Sequence, residues 1–185
     1  GTLYNPTGLV STIRVGNGTG SGDGDIAVIQ TNIQDDPSNS TTLVKTDTGT
    51  LVLTGTNSYA GGTVVTDGVL EVTSDKNLGK AGTDVAIDGG TLKIGADITE
   101  ASNRQIIYGQ HNATIDLDGH TYTPGASMVG PGGVTIWSSE NTSIGQNQLN
   151  AGVPQNGKNS VLNLEHDNTY RGYTTINGLG GDPTG

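Results

Sequence analysis

The sequence predicts an all-β fold, a parallel β-helix of stacked coils, and three observations carry that prediction. A short apolar–any–apolar triplet returns about every twenty residues. Glycine-rich turns interrupt every stretch, and no long stripe of 3.6-residue period exists. Large apolar side chains are also too few for a broad core: of 185 residues 31 are glycine and 27 threonine, with one Trp, one Met and no Phe. Apolar residues make up 31% and charged residues 14%, so the chain lacks the high-charge profile of a disordered protein. A thin core repeated along an axis fits these numbers.

The triplets are Leu51-Val52-Leu53, Leu70-Glu71-Val72, Leu92-Lys93-Ile94, Ile115-Asp116-Leu117, Val134-Thr135-Ile136 and Leu162-Asn163-Leu164. The last interval is the longest. Each triplet alternates with period two and reads as a short strand with one buried face. Ile13-Arg14-Val15 and Ile26-Ala27-Val28 have the same shape, and weaker strands fall at 63–65, 85–87, 106–107 and 174–176. A recurrence near this length suits one coil of a β-helix, each strand pairing with its counterpart one coil away, about 4.8 Å distant. A sandwich would want longer strands and a more aromatic core.

In this register the middle residues Val52, Glu71, Lys93, Asp116, Thr135 and Asn163 point outward from successive coils. Glu71, Lys93 and Asp116 then form a ladder of alternating charge, each opposite pair contributing about 0.2–1 kcal/mol. Along the chain the expected organisation is a single β-helix segment over 1–185. It comprises irregular coils over 1–40, regular coils over 41–137, a polar insertion at 138–160 and a truncated repeat over 161–185. The chain begins at Gly1 without methionine and ends at Gly185 inside a repeat, so a fragment of a longer helix is expected.

Eight basic residues against 18 acidic give a net charge of −10, which argues against nucleic acid or an anionic membrane as partner. No apolar run approaches the ~20 residues of a helical membrane span. Without cysteine there is no disulfide framework, thiolate nucleophile or cysteine-ligated metal.

Residues 43–65, Leu43-Val44-Lys45-Thr46-Asp47-Thr48-Gly49-Thr50-Leu51-Val52-Leu53-Thr54-Gly55-Thr56-Asn57-Ser58-Tyr59-Ala60-Gly61-Gly62-Thr63-Val64-Val65, resemble the passenger-associated transport repeat of bacterial autotransporters. The match continues through Gly68-Val69-Leu70 and Asn77-Leu78-Gly79. It departs at Asp47, where that repeat prefers glycine, and at Ser58 in place of threonine. A degenerate second copy follows at a constant shift, in which Leu51, Leu53, Asn57, Tyr59, Gly61 and Thr63 recur as Leu162, Leu164, Asn168, Tyr170, Gly172 and Thr174. Tyr173 replaces the second glycine. The resemblance implies a right-handed parallel β-helix, exported across the outer membrane and displayed at the bacterial cell surface or released outside. It further implies an adhesin or structural stalk whose partner is a host-cell surface, an extracellular matrix component or another bacterium of its kind. The absence of cysteine suits passage through an oxidising periplasm.

Candidate chemistry is sparse. The Asn57, Tyr59, Gly61 motif reads as a corner in which asparagine satisfies turn amides, tyrosine covers the coil edge and glycine takes the strained dihedral. Asp116, Asp118 and His120 alternate on one outer face as solvated side chains rather than a metal or acid–base site. His111 and His166 have no evident partners. Gly20-Ser21-Gly22-Asp23-Gly24-Asp25-Ile26 resembles half of a Gly/Asp calcium repeat, but such sites need neighbouring copies. No catalytic, cofactor-binding or metal-ligating residue is assigned, and no cofactor is expected. The alternative function is a fragment of a carbohydrate-active β-helix enzyme, a lyase or glycosidase, which would need a carboxylate pair or a basic residue in a cleft. Fold alone licenses neither. The insertion at 138–160 is the candidate contact loop, its plain counterpart a polar loop.

Overall fold

The computed structural model describes residues 2–4, 10–16, 24–100, 103–139 and 160–177. Among these the strands are short, and every strand pair is parallel, as a solenoid requires. Three faces alternate along the chain. A seven-stranded face stacks Ile26–Ile29, Thr50–Leu53, Val69–Val72, Thr91–Ile94, Ala113–Asp116, Val134–Trp137 and Thr174–Asn177. A six-stranded face stacks Val10–Arg14, Thr42–Thr46, Thr63–Val65, Val85–Ile87, Ile106–Tyr108 and Met128–Val129. The third face is interrupted: Thr2–Tyr4 pairs with Asn32–Gln34, and Ile98–Thr99 with Thr121–Thr123 and Val161–Leu162. Between those two groups lie the stretch 57–59, bonded to the main chain of Ile33, and a 3₁₀ turn at Asp75–Leu78.

Alternation builds the core. Ala27, Leu51, Leu70, Leu92, Ile115, Ile136 and Ile176 form one column, each the Cα partner of the next. The five from Leu51 to Ile136 are buried, and a fully buried aliphatic side chain contributes about 1.5–3 kcal/mol. From the six-stranded face, Leu43, Val65, Val85, Ile87, Ile106, Tyr108 and Met128 fill the other side.

Three register expectations need correction. Val134-Thr135-Ile136 does not sit over Ile115-Asp116-Leu117 residue for residue, because Ile136 pairs with Ile115 and Thr135 with Thr114. Leu162 lies on the third face, paired with Tyr122, and the seventh rung of the large face is Thr174–Asn177. In the first rung Ala27 and Ile29 face inward, leaving Ile26 and Val28 exposed at 68% and 54%. Triplet shape identifies a strand, but a run such as Ile-Ala-Val-Ile does not say which parity is buried, and a slip of one residue exchanges the faces.

Side chains stitch the corners one coil to the next. Asn32 Oδ1 accepts Thr56 N, Asp35 Oδ2 accepts Ala60 N, and Asp84 Oδ1 accepts Gln105 N. Asp88 accepts His111 N, Asp97 accepts Thr121 N, Asn112 accepts Gly133 N and Asp116 accepts Ser139 N, at 2.8 to 3.0 Å. In each case donor and acceptor are 21 to 25 residues apart, one coil. Turns expose main-chain amides that the strands cannot satisfy, and a carboxylate in the coil beneath is a strong acceptor for them.

Candidate functional site

The repeat corner is the most elaborated local arrangement. Asn57 is buried; its Oδ1 accepts Ile33 N at 2.8 Å and its Nδ2 donates to Asn77 O at 2.6 Å. Asn77, one coil up, donates from Nδ2 to Gly55 O at 2.9 Å, and its Oδ1 accepts the amides of Thr73 and Ser74. Tyr59 is fully buried, and its hydroxyl meets Thr63 Oγ1 at 2.7 Å. Tyrosine is therefore core here and does not cover the coil edge. Burial above all pushes its phenol up to about 12, against the opposing effects of the Thr63 bond and the Arg104 charge. At Gly61 a Cβ would come within 2.5 Å of the Thr41 carbonyl group, so only glycine lets these coils approach.

The second copy rebuilds this corner. Asn168 Oδ1 accepts Met128 N at 2.7 Å, Tyr170 OH meets Thr174 Oγ1 at 2.5 Å, and Gly172 N donates to Gly132 O at 3.1 Å. The first copy delivers the chain into the six-stranded face at Thr63, the second into the seven-stranded face at Thr174. The motif is thus a transferable corner, independent of the face it serves. Gly62 takes φ +82, whereas Tyr173 is not among the positive-φ residues and is 93% exposed, so the two turns differ as the substitution requires. Asp47, standing where the repeat prefers glycine, has φ +71, which is the physical reason for that preference.

Lys45 occupies an inward position of the same repeat yet is a cation. Its Nζ donates to the carbonyls of Thr46, Asp47 and Asp67 at 3.0, 2.5 and 3.1 Å, tying two coils at one corner. Burial lowers its pKa, with Asp67 and Asp47 opposing. A second buried cation, Arg104, was not singled out by sequence reasoning. Its Nε donates to Asp75 Oδ1 at 2.8 Å, and its other nitrogens reach Thr83 and the carbonyls of Leu78, Gly79 and Lys80 at the end of the 3₁₀ turn. Nearby, buried Glu100 accepts Tyr122 OH at 2.7 Å and Gly125 N at 3.0 Å. Burial raises the Glu100 pKa most, against those two bonds and Arg104, and burial likewise holds the Tyr122 phenol well above its ordinary value.

On the outer surface Lys93 is the Cα partner of both Glu71 and Asp116, as the ladder requires. Its Nζ lies 3.7 Å from Glu71 Oε2 but pairs above with Asp118 Oδ2, at 3.1 Å. Asp116 is only 3% exposed, its carboxylate turned onto the amides of Asp118 and Ser139. The expectation that Asp116, Asp118 and His120 share one solvated face therefore fails. Asp118 takes φ +45 in the turn, and that bend ends the alternation. Partial burial lowers the Lys93 pKa, but Asp118, Glu71 and Asp116 outweigh it and the net shift is upward. His111 does have a partner: its Nδ1 lies 2.9 Å from Asp88 Oδ1. His120 Nδ1 lies 3.5 Å from Asp97 Oδ1.

Of the proposed calcium turn, 20–23 lie outside the described residues; Asp25 is exposed, its carbonyl accepting Thr50 N at 2.8 Å. Of the insertion, 140–159 lie outside them too. Its ends meet: Ser160 Oγ donates to Ser138 Oγ at 2.8 Å, and both hydroxyls accept Gly119 N, at 3.0 and 3.1 Å.

The family model of the passenger-associated-transport-repeat matches residues 43–72 and 160–178, the two corners just described. A stretch of 101 residues, 55% of the chain, is 50% identical to a protein named adhesin BmaC autotransporter, from Brucella suis biovar 1 (strain 1330). The chain thus carries two matches to the transport repeat and, over 55% of its length, is similar to an autotransporter adhesin. The matched stretch spans 3% of the length of that relative, and no solved structure matches the chain. The residues that define the passenger repeat are those that close corners: Asn57, Tyr59, Gly61 and Thr63 each have a partner or a close approach within the stack.

Proposed function

We propose that this chain is a surface-exposed, non-catalytic segment of an autotransporter passenger, serving as adhesin and stalk in attachment to host cells, matrix or other bacteria. The observation that carries the reading is the pair of transport-repeat corners, each hydrogen-bonded to an earlier coil, in a chain half identical over 101 residues to a protein named as an adhesin. A solenoid suits display, since stability accumulates coil by coil and the outer faces repeat along one axis.

The acidic residues support a structural rather than catalytic role. Asp35, Asp84, Asp88, Asp97 and Asp116 are each committed to a main-chain amide of the neighbouring coil. A glycosidase needs two carboxylates facing a common space, and no observation here favours the enzyme reading. The experiment is attachment of beads coated with the chain to host cells, to immobilised matrix and to one another. Retention above beads carrying an unrelated β-solenoid supports the adhesin role. Retention no better than that control assigns the segment to the stalk. Removing 138–160 then asks whether the insertion carries the contact.

A further inference from the structure

The outer surface of the six-stranded face carries a continuous apolar column. Thr12, Val44, Val64, Ala86, Ile107 and Val129 are Cα partners on successive rungs. Along each strand from Thr42 to Tyr108 they alternate with buried residues, so they point outward, half-buried only by their neighbours. Five hydrocarbon side chains from Val44 to Val129 thus stand in line at intervals of about 4.8 Å, some ~19 Å in all.

Strand propensity does not explain this column. An outer column of the seven-stranded face, with the same backbone, reads Ile26, Thr50, Val69, Thr91, Thr114, Thr135 and Thr175. Threonine satisfies a strand as well as valine does, yet from Thr91 to Thr175 that column shows hydroxyls on four successive rungs, where the column from Val44 to Val129 shows hydrocarbon throughout. Beside the column runs an open groove of about 340 Å³, lined among others by Gly61, Gly62, Val64, Thr83 and Ala86, and Asp84 is the charged residue on its wall. Asp84 is exposed there, and exposed Asp67 and partly exposed Asp88 border the opposite edge. Lys80 stands four residues before Asp84 in the sequence, and on the other edge the His111 imidazole lies 2.9 Å from Asp88 Oδ1.

We propose that this column and its acidic borders dock a polypeptide that interleaves aliphatic side chains with lysine or arginine. The proposal rests on the adhesin reading and names the partner chemistry of one face. Charge decides against a second copy as occupant, because that copy would bring a net charge of −10 against itself. Area agrees: a strip one three-residue strand (~10 Å) across and ~19 Å long covers roughly 200 Å², against about 800 Å² per partner in a stable interface. A contact of that size is weak singly and gains strength by repetition along a displayed surface.

The test uses the whole chain and two synthetic peptides, one alternating lysine with leucine, the other lysine with serine. The lysine–leucine peptide is expected to bind and the lysine–serine peptide to bind at least about tenfold more weakly. The double variant Val64→Thr, Ile107→Thr, checked for an unchanged melting midpoint, lowers lysine–leucine binding about tenfold. Asp84→Asn with Asp88→Asn weakens it and flattens its salt dependence. Equal binding of both peptides, or undiminished binding by the threonine variant, overturns the proposal. So does concentration-dependent self-association of the chain that this variant abolishes. In the bead assay, attachment that persists in the threonine variant sinks the docking face but leaves the adhesin reading standing, whereas failure of the unaltered chain to attach sinks the adhesin reading.

Discussion

The side-chain carbonyl of Asn57 takes the amide of Ile33 at 2.8 Å, and that of Asn168, its counterpart in the second repeat, takes the amide of Met128 at 2.7 Å. Two corners on different faces thus use one hydrogen bond to seat a coil on the coil below. Asn57→Ala strands a buried amide, and a cost of about 1–3 kcal/mol is expected. Urea unfolding measures it. A change no larger than that of an ordinary surface substitution, about 0.5 kcal/mol, would show that the corner does not depend on that bond.

Asp47 tests the backbone argument. With φ +71 it sits in a region that costs an ordinary L residue about 1–2 kcal/mol. Asp47→Gly is expected to leave stability unchanged or raise it, since the ion pair it gives up, to exposed Arg14 at 3.1 Å, is worth little. Asp47→Ala is expected to be the less stable of the two variants, by about 1 kcal/mol. The reverse order in thermal melts would contradict the assignment.

Arg104 gathers Asp75, Thr83 and the carbonyls at the end of the 3₁₀ turn in one fully buried guanidinium. Arg104→Met leaves those acceptors and a carboxylate uncompensated, a loss of about 3–5 kcal/mol. Arg104→Lys recovers only part of it, because an ammonium cannot reproduce the planar fork. Full rescue by lysine, read from urea midpoints, would show that charge alone suffices.

Two carboxylates give opposite pH signatures. The Asp88 pKa is lowered, first by the His111 amide, so its contribution is present above the ordinary Asp value of 3.8 and is lost as pH falls through the depressed folded value. The Glu100 pKa is raised by burial. Its folded form therefore holds a proton that the unfolded chain has released, and its contribution is present below 4.5 and lost as pH rises through the folded value. Urea midpoints of Glu100→Gln against pH should lack the decline with rising pH that begins near 4.5 in the parent chain. An identical slope in both proteins would refute the buried-carboxylate account.

The paired hydroxyls of Ser138 and Ser160 bring the ends of the insertion together. Replacing 140–159 by a short glycine linker is expected to leave the melting midpoint within a few degrees, because the coil on either side already closes at that point. A large drop, or loss of the β-sheet circular dichroism spectrum, would show that the segment supports the stack.

Much of this was legible in the residues. The triplets at Leu51, Leu70 and Leu92 share one column because period-two alternation and coil-length spacing fix strand and rung together. The repeat corner was legible as structure from Asn57, Tyr59 and Gly61, though the tyrosine proved to be core. What escaped reading depended on parity and on bends. Ile26-Ala27-Val28-Ile29 is apolar on both sides, so composition cannot choose its inner face. The left-handed turn at Asp118 rotated the acidic run and buried Asp116. Arg104 looked like any surface arginine, since its partners come from a turn of the preceding coil.

The most direct measurement of the coil-on-coil stack uses the absence of native cysteine. Val64 and Ala86 are Cα partners on adjacent rungs, about 4.8 Å apart and within disulfide range, whereas Val64 and Ile107 are two rungs apart, about 9.6 Å and beyond it. Under mild oxidation Val64→Cys with Ala86→Cys should form an intramolecular crosslink, seen by peptide mapping, and Val64→Cys with Ile107→Cys should not. Crosslinking of the second pair, or of neither, would contradict the parallel stack on which both the repeat corners and the outer columns depend.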